Sequence, residues 1–387
     1  MNILYVCTFQ PGDLSSGAAQ RTTLLYEALA EMGDVYTVIP VRKKHQEKVD
    51  AEKRIAWLSL NRGCPFSHFI NQLCRQNLMV LGYHASGVVP RLKDVWPNIK
   101  FDFGVCRYAA TASVARLWHY MPWYLDVDDL PLELFSTLHK DAFLFSLKKR
   151  LVQWYSNWIF KHANGLWFAN PQQEKLLPNV PKRCLPNITL KQEAANVAPV
   201  VHGPSIFSVG NLSYAPNADG IRHFVLNVWP LVHRQCPNLE YRIGGKGLPD
   251  DVVEICKMAP GVKLLGFVDD LAAEYANSLF VVAPVYAGGG TCIKILEALS
   301  YGRLCICNAF AARGIDKEQP GFNCIIVTDD DEDFAEKIIH FVQNDSEREK
   351  LQRQCLPSDE DLQKARQDFN KAVHALLAAK CITETLT

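Results

Sequence analysis

Apolar residues along this chain fall into short, β-prone runs separated by stretches in which they recur at helical spacing. Runs at 3–7, 35–40, 55–60, 101–108, 123–127, 165–169 and 183–185 read as strands, and stretches at 18–32, 66–81, 109–119 and 140–162 as helices between them. Strands alternating with helices predict an α/β fold built on a doubly wound parallel sheet. Residues 188–204 lose the period and fill with Ala, Val, Asn, Pro and Gly, which marks a linker. Beyond it the alternation resumes, with strands at 205–209, 239–244, 262–267, 279–283, 304–308 and 324–327 and helices such as 218–232 and 333–342. The pattern therefore predicts two Rossmann-like domains, 1–190 and 204–350, with a last helix at 358–380 that packs back on the first.

Ligands of such sheets bind outside the carboxyl ends of the strands, so two domains in tandem are expected to face each other across a cleft lined by strand-end loops. In the first domain those loops hold residues 12–21, Arg107 and 126–129; in the second, 210–217, 244–247, 266–270 and 288–297.

The last of these carries the most chemistry. After the apolar run 279–283 come Gly288, Gly289 and Gly290, which let the backbone turn sharply and approach a ligand. Thr291 is placed to cap a helix that buries Ile293, Leu296 and Leu299, presents Thr291, Lys294 and Glu297 on its other face, and ends at Gly302. Free amides and a lysine at a helix start suit a diphosphate, and a carboxylate one turn on suits two sugar hydroxyls. The plainer alternative is a solvated Lys–Glu pair at i, i+3.

Composition narrows the partners. Lys plus Arg and Asp plus Glu are 41 each in 387 residues, so no net field recruits nucleic acid or an anionic membrane, and any anion site must be local. The 13 cysteines include no C-x-x-C pair and read as buried free thiols of a reducing cytoplasm, with no structural metal. The N-terminus lacks a signal-peptide pattern and no apolar run is long enough to span a bilayer, which predicts a cytoplasmic location.

Five blocks in order now make the second domain recognisable: 209–217 (VGNLSYAPN), 227–231 (NVWPL), 243–245 (IGG), 265–270 (LGFVDD) and 289–298 (GGTCIKILEA). Together they resemble the retaining GT-B glycosyltransferases of the family 4, or group 1, type, in the branch found in bacterial surface-polysaccharide biosynthesis. The first half matches more loosely, through 16–21 (SGAAQR) and 125–129 (LDVDD). The resemblance implies that a nucleotide sugar lies on the second domain. Lys294 would contact its diphosphate, Glu297 its ribose, and the loops at Gly210, Asn211 and Phe267 its phosphate and base. Two positions depart from the family. Its Glu-x7-Glu pair has Gly289 first, so the amides of Gly289, Gly290 and Thr291 would meet the donor sugar; its first-domain histidine finds its best counterpart in Asp128.

The expectation is thus a hexosyltransferase that moves a sugar from a nucleoside diphosphate sugar to a glycan or lipid-linked acceptor. Asp128 and Lys294 are its catalytic candidates, and Gly17 and Arg21 lie on the acceptor side. No metal or other cofactor is expected, although Asp126 and Asp128 form an Asp-x-Asp pattern. Gly17 and Arg21 could equally be a plain helix start, and residues 126–129 a strand-end cap. The aromatic helix with Trp154, Tyr155, Trp158 and Lys148 to Arg150 reads as core with a solvated basic turn, or as a peripheral contact with the inner face of a membrane. His119 and His139 have no evident partners. The rivals are a nucleotide-sugar epimerase on the same scaffold and a non-catalytic nucleotide- or glycan-binding relative. A nicotinamide oxidoreductase is disfavoured because no G-x-G-x-x-G follows either opening strand.

Overall fold

A computed structural model describes residues 1–14, 16–41, 46–59, 88–138, 145–188, 204–315, 317 and 321–378. The helix expected at 66–81, nearly all of the 188–204 linker, and His139 lie outside them. The chain divides into two compact units, Met1–Pro186 with Gln367–Thr387, and Asn187–Arg366.

The first unit holds β1 (Asn2–Val6), β2 (Asp34–Val41), β3 (Lys48–Asp50), β4 (Ile55–Ser59), β5 (Phe103–Arg107), β6 (Trp123–Asp126), β7 (Gly165–Phe168) and β8 (Lys182–Cys184). They form one sheet in the order β3-β4-β2-β1-β5-β6-β7-β8. Every pairing is parallel except β3 with β4. Strand β3 escaped the pattern reading because its three residues, Lys-Val-Asp, make no apolar run. The central strands β1, β5 and β6 are buried almost throughout, as expected for strands covered on both faces. The helix expected at 109–119 stops at Ala115 because Arg116 takes a left-handed conformation, φ 51°, and a 3₁₀ turn follows. The stretch 140–162 yields a helix at Phe145–His162, preceded by a separate one at Pro131–Leu138. Residues of the last helix, Asp359–Ala378, pack on this unit: His374 Nε2 lies 2.7 Å from the Ala28 carbonyl, and Leu376 covers Gly165.

The second unit contains β9 (Ser205–Val209), β10 (Glu240–Gly244), β11 (Val262–Gly266), β12 (Phe280–Ala283), β13 (Cys305–Asn308) and β14 (Ile325–Thr328), all parallel. Their order, β11-β10-β9-β12-β13-β14, is the Rossmann arrangement, and the winding reverses between β9 and β12. The two-sheet α/β reading therefore holds. The helix expected at 218–232 is broken in two by a π turn at Phe224–Val228, across which Trp229 N–H reaches back to the Phe224 carbonyl. Pro230 has no N–H to continue an α ladder, and the wider turn accommodates it. The expectation of free thiols fails at one place, since Cys324 and Cys355 are joined as a disulfide.

One glycine fixes how closely a crossover helix approaches the sheet. A Cβ on Gly220, in the helix Ala215–His223, would sit 1.9 Å from the Pro284 carbonyl oxygen just past β12. In an open helix Gly→Ala gains stability of about 1 kcal/mol. Here backbone must move, so Gly220→Ala is expected to lose roughly 1–3 kcal/mol, read as a lowered urea midpoint.

Candidate functional site

The reversal between β9 and β12 leaves a crevice at the carboxyl ends of those two strands, where the two sequence-predicted loops arrive. After β9 the chain passes Gly210 and Asn211 and turns into the helix Ala215–His223. After β12 it makes the glycine turn and enters the helix Ile293–Ser300. Gly288 and Gly290 have φ of 124° and 62°, left-handed values that explain why glycine stands there. Thr291 does not cap the helix. The helix starts two residues later with Cys292 at its N-cap position and no side-chain cap, and it buries Ile295 with Leu296 and Leu299 where Ile293 was expected. The Thr291 hydroxyl oxygen is instead buried with no hydrogen-bond partner.

Lys294 joins the two loops. Its ammonium donates to Asn217 Oδ1, and a Cβ at Gly210 would come 2.6 Å from its Cε, so a larger residue there would displace the end of the lysine chain. A cavity of ≈ 10 Å³, about the space of one water, opens beside Lys294, Asn217, Ser208 and Pro284. Glu297 accepts a 3.2 Å bond from Tyr275, whose ring stacks on Tyr301 at 4.3 Å. Both charged groups are half-buried, and burial lowers the pKa of Lys294 and raises that of Glu297. A solvated surface pair would show neither shift. The lysine is thus partly desolvated, and among the described residues only an amide oxygen accepts from it, a state that an anion would relieve.

Three contacts hold the surrounding loops. Arg313 donates a 2.8 Å bond to the Gly288 carbonyl. Tyr286 reaches Asp331 at 3.5 Å and packs against His223, ring centroids 4.4 Å apart. At the ends of β10 and β11, Phe267 is 58% exposed with the Lys246 ammonium 4.4 Å from its ring centroid. Asn217, Tyr275, Arg313 and Lys246 were not among the residues picked out from sequence. Asn217 and Lys246 stood inside strand-end loops singled out from sequence, at 210–217 and 244–247; the other two carry no local signal.

The first unit's candidates meet in a buried ion cluster at the end of β5 and β6. Arg21, 1% exposed, grips Asp126 through Nε at 2.9 Å and Nη2 at 2.6 Å, and its Nη1 donates to the Leu185 carbonyl at 2.9 Å. Arg107 bonds Asp126 at 3.3 Å, Thr22 at 2.8 Å and, through Nη2, Asp128. Tyr108 completes the cluster by donating to Asp128 at 3.2 Å. Arg21, expected on the acceptor side, is therefore enclosed among protein groups. Gly17 is the first residue of the helix Gly17–Ala30, behind the N-cap Ser16, whose hydroxyl accepts from Ala19 N–H. Asp126 and Asp128 do converge, but on two guanidinium groups. Among the described residues no cluster of His, Cys, Asp or Glu has the makings of a metal site. Tyr108 and Asp128 both have positive φ, 70° and 49°, an uncommon conformation for residues other than glycine.

Comparison with known proteins bears on the second unit first. Residues 203–344 match the family described as Glycosyl transferases group 1, a stretch that contains Gly210, Asn217, Phe267, Lys294 and Glu297. No curated protein matches the chain in sequence. Solved structures match over nearly its whole length. A glycosyltransferase from Rickettsia africae is 13% identical with a TM-score of 0.59, covering 99% of this chain and 97% of its own. WaaG, a glycosyltransferase involved in lipopolysaccharide biosynthesis, is 13% identical with a TM-score of 0.67, covering 96% and 99%. Anabaena HepE, solved in complex with UDP, is 13% identical with a TM-score of 0.62, covering 100% and 99%. At these identities the likenesses establish the fold, which is that of the GT-B glycosyltransferases. The group 1 domain makes the protein an enzyme, a glycosyltransferase.

The ion cluster makes a pH prediction. Burial alone would raise the Asp128 pKa, but Arg107 and Arg21 outweigh it and hold the carboxyl below its ordinary 3.8. Its contribution to stability is then complete above 3.8 and is lost as pH falls through the depressed folded value. Asp128→Asn leaves two buried guanidinium groups short of a counter-charge, so it should cost about 3 kcal/mol near neutral pH. Urea unfolding across pH checks both: the variant should lose part of the acid sensitivity as well as the stability.

Proposed function

We propose that the enzyme moves a hexose-type sugar from a nucleoside diphosphate sugar to a glycan or lipid-linked acceptor, with retention, in the assembly of a surface polysaccharide or related glycoconjugate. The observation that carries this reading is Lys294, desolvated at the switch point of the second sheet and held by Asn217 where an anion can reach it. A nucleoside diphosphate fits the remaining features. Its diphosphate takes Lys294 and the amides of Gly289, Gly290 and Thr291. Its ribose hydroxyls donate to Glu297, and its base lies towards Phe267. HepE, of the same fold, binds UDP, which supports a nucleotide at such a crevice.

Chemically, the bond from the sugar to the diphosphate breaks, the acceptor oxygen forms the new bond, and the acceptor proton leaves with the diphosphate or to solvent. Lys294 and the turn amides stabilise the negative charge that gathers on the leaving group, the role a metal plays elsewhere. Activity is accordingly expected to persist in excess chelator; loss restored by magnesium or manganese would overturn that assignment. Asp128, its carboxylate committed to Arg107 and Tyr108, serves to position the Tyr108 turn. Asp128→Asn should then lower turnover more than nucleotide affinity.

Lys294 and Glu297 are distinguished by titration calorimetry with nucleoside and nucleoside diphosphate. Lys294→Ala removes a charge-assisted contact, so diphosphate binding should weaken roughly ten-fold to a hundred-fold while nucleoside binding hardly changes. Glu297→Gln weakens acceptance from the ribose, so both ligands should lose affinity together. Because the free lysine pKa is lowered and a bound diphosphate would raise it, wild-type affinity should fall as pH rises through the lowered value. Equal affinities in all three proteins would remove the proposed site.

A further inference from the structure

The peptide between Gly288 and Gly289 joins two residues without a Cβ, so it turns over at little cost, and its two orientations present opposite groups to the crevice. With the carbonyl inward the turn repels an anion; with the Gly289 N–H inward it binds one. Arg313 decides between them. Its Nη2 donates to the Gly288 carbonyl at 2.8 Å, and across a trans peptide the Gly289 N–H then points the opposite way. The arginine follows β13, which pairs with β12 on the side away from β9. The N–H is therefore turned towards the β9 side, where Lys294 meets Asn217. A Cβ on Gly288 would stand 3.4 Å from the Tyr214 hydroxyl and 3.7 Å from Pro216, which sets the turn between Arg313 and the loop after β9.

The guanidinium is itself fixed. Nη1 donates to the Phe310 carbonyl at 2.9 Å, and the group lies 3.5 Å from the centroid of the Phe310 ring. Arg313 closes the short helix Ala309–Ala312, which begins at the end of β13 with the Asn308 side chain accepting from Ala311 N–H at 2.9 Å. We infer that Arg313 is a positioning residue for the donor, acting through the Gly288–Gly289 peptide to hold the Gly289 N–H towards the diphosphate. A cation on the carbonyl also draws electrons through the peptide and strengthens its N–H as a donor. A dipole held in this way costs no reorganisation when the anion arrives. The inference rests on the donor reading of the glycine turn, and adds to it the residue that sets which way the turn faces.

Titration calorimetry of wild type with UDP, GDP, ADP, dTDP and CDP identifies the nucleotide bound most tightly, and that nucleotide and its nucleoside are then titrated into the variants. Arg313→Met removes the charge and both donors, so diphosphate affinity should fall about ten-fold while nucleoside affinity stays unchanged. Arg313→Lys keeps a cation for the Gly288 carbonyl and should recover most of the loss. Tyr286→Phe releases the tie to Asp331 in the same loop, which acts on no peptide of the turn, and should change neither affinity. Were Arg313→Met not to fold, the neutral and shorter Arg313→Gln takes its place. Equal losses of nucleotide and nucleoside, or no rescue by lysine, would reduce Arg313 to a tie of the loop and overturn the inference. Unchanged diphosphate affinity in Arg313→Met, where Lys294→Ala weakens it, would overturn the inference and leave the donor site standing. Wild type that binds none of the diphosphates, or Lys294→Ala that binds like wild type, would remove the donor site and the inference with it.

Discussion

Every strand of the second sheet runs the same way, and the features of the proposed site follow from that constraint. Parallel strands need crossover helices, and crossovers of one hand carry the chain leaving the paired strands β9 and β12 to opposite faces of the sheet, which opens a crevice at their carboxyl ends. Two loops otherwise far apart in sequence are thereby brought together at Gly210, Asn217 and Lys294. The same geometry makes Gly220 necessary, because the helix leaving the first loop must lie against the backbone leaving β12. The contact between Lys294 and Asn217 is thus a result of sheet topology, and its chemistry depends on how much water the topology excludes.

Both units carry their charged candidates at strand ends, yet they treat charge in opposite ways. In the first unit two guanidinium groups and two carboxylates neutralise one another, with Thr22, Tyr108 and carbonyl oxygens taking further donors. Such a cluster holds β5, β6 and the first helix in register and has little left for a ligand. In the second unit burial has shifted Lys294 and Glu297 towards their neutral forms, and the partners present, Asn217 and Tyr275, are uncharged. A balanced cluster favours a structural role. Uncompensated desolvation favours binding.

This difference also explains what the sequence made legible. Strand after strand was readable because buried parallel strands are continuous apolar runs, and the glycine turn was readable because glycine is the residue that adopts such φ values without strain. Strand β3, the π turn and the break at Arg116 were not, since each depends on tertiary pairing or on a single backbone angle. Lys294 and Glu297 stood out by spacing, but spacing could not separate a desolvated pair from a solvated one. Arg21 and Asp128 looked alike as strand-end candidates until their mutual burial was known; Tyr275 and Arg313 lie on other elements and were invisible to local pattern.

The departure at Gly289 can now be given a physical form. A carboxylate there would bring negative charge into a turn whose neighbouring lysine is already desolvated, and would compete with a diphosphate for it. Glycine leaves the backbone amides of the turn uncovered, and the turn keeps its shape through Gly288, whose carbonyl is fixed by Arg313. Within the same turn the Thr291 hydroxyl is buried without a partner, at a cost of about 1–3 kcal/mol that a bound acceptor or donor oxygen would recover. In the proposed donor site a hydroxyl and a set of amides would then stand where the resemblance leads one to expect a carboxylate. Neutral donors of this kind would meet a sugar's oxygens without adding charge next to a diphosphate.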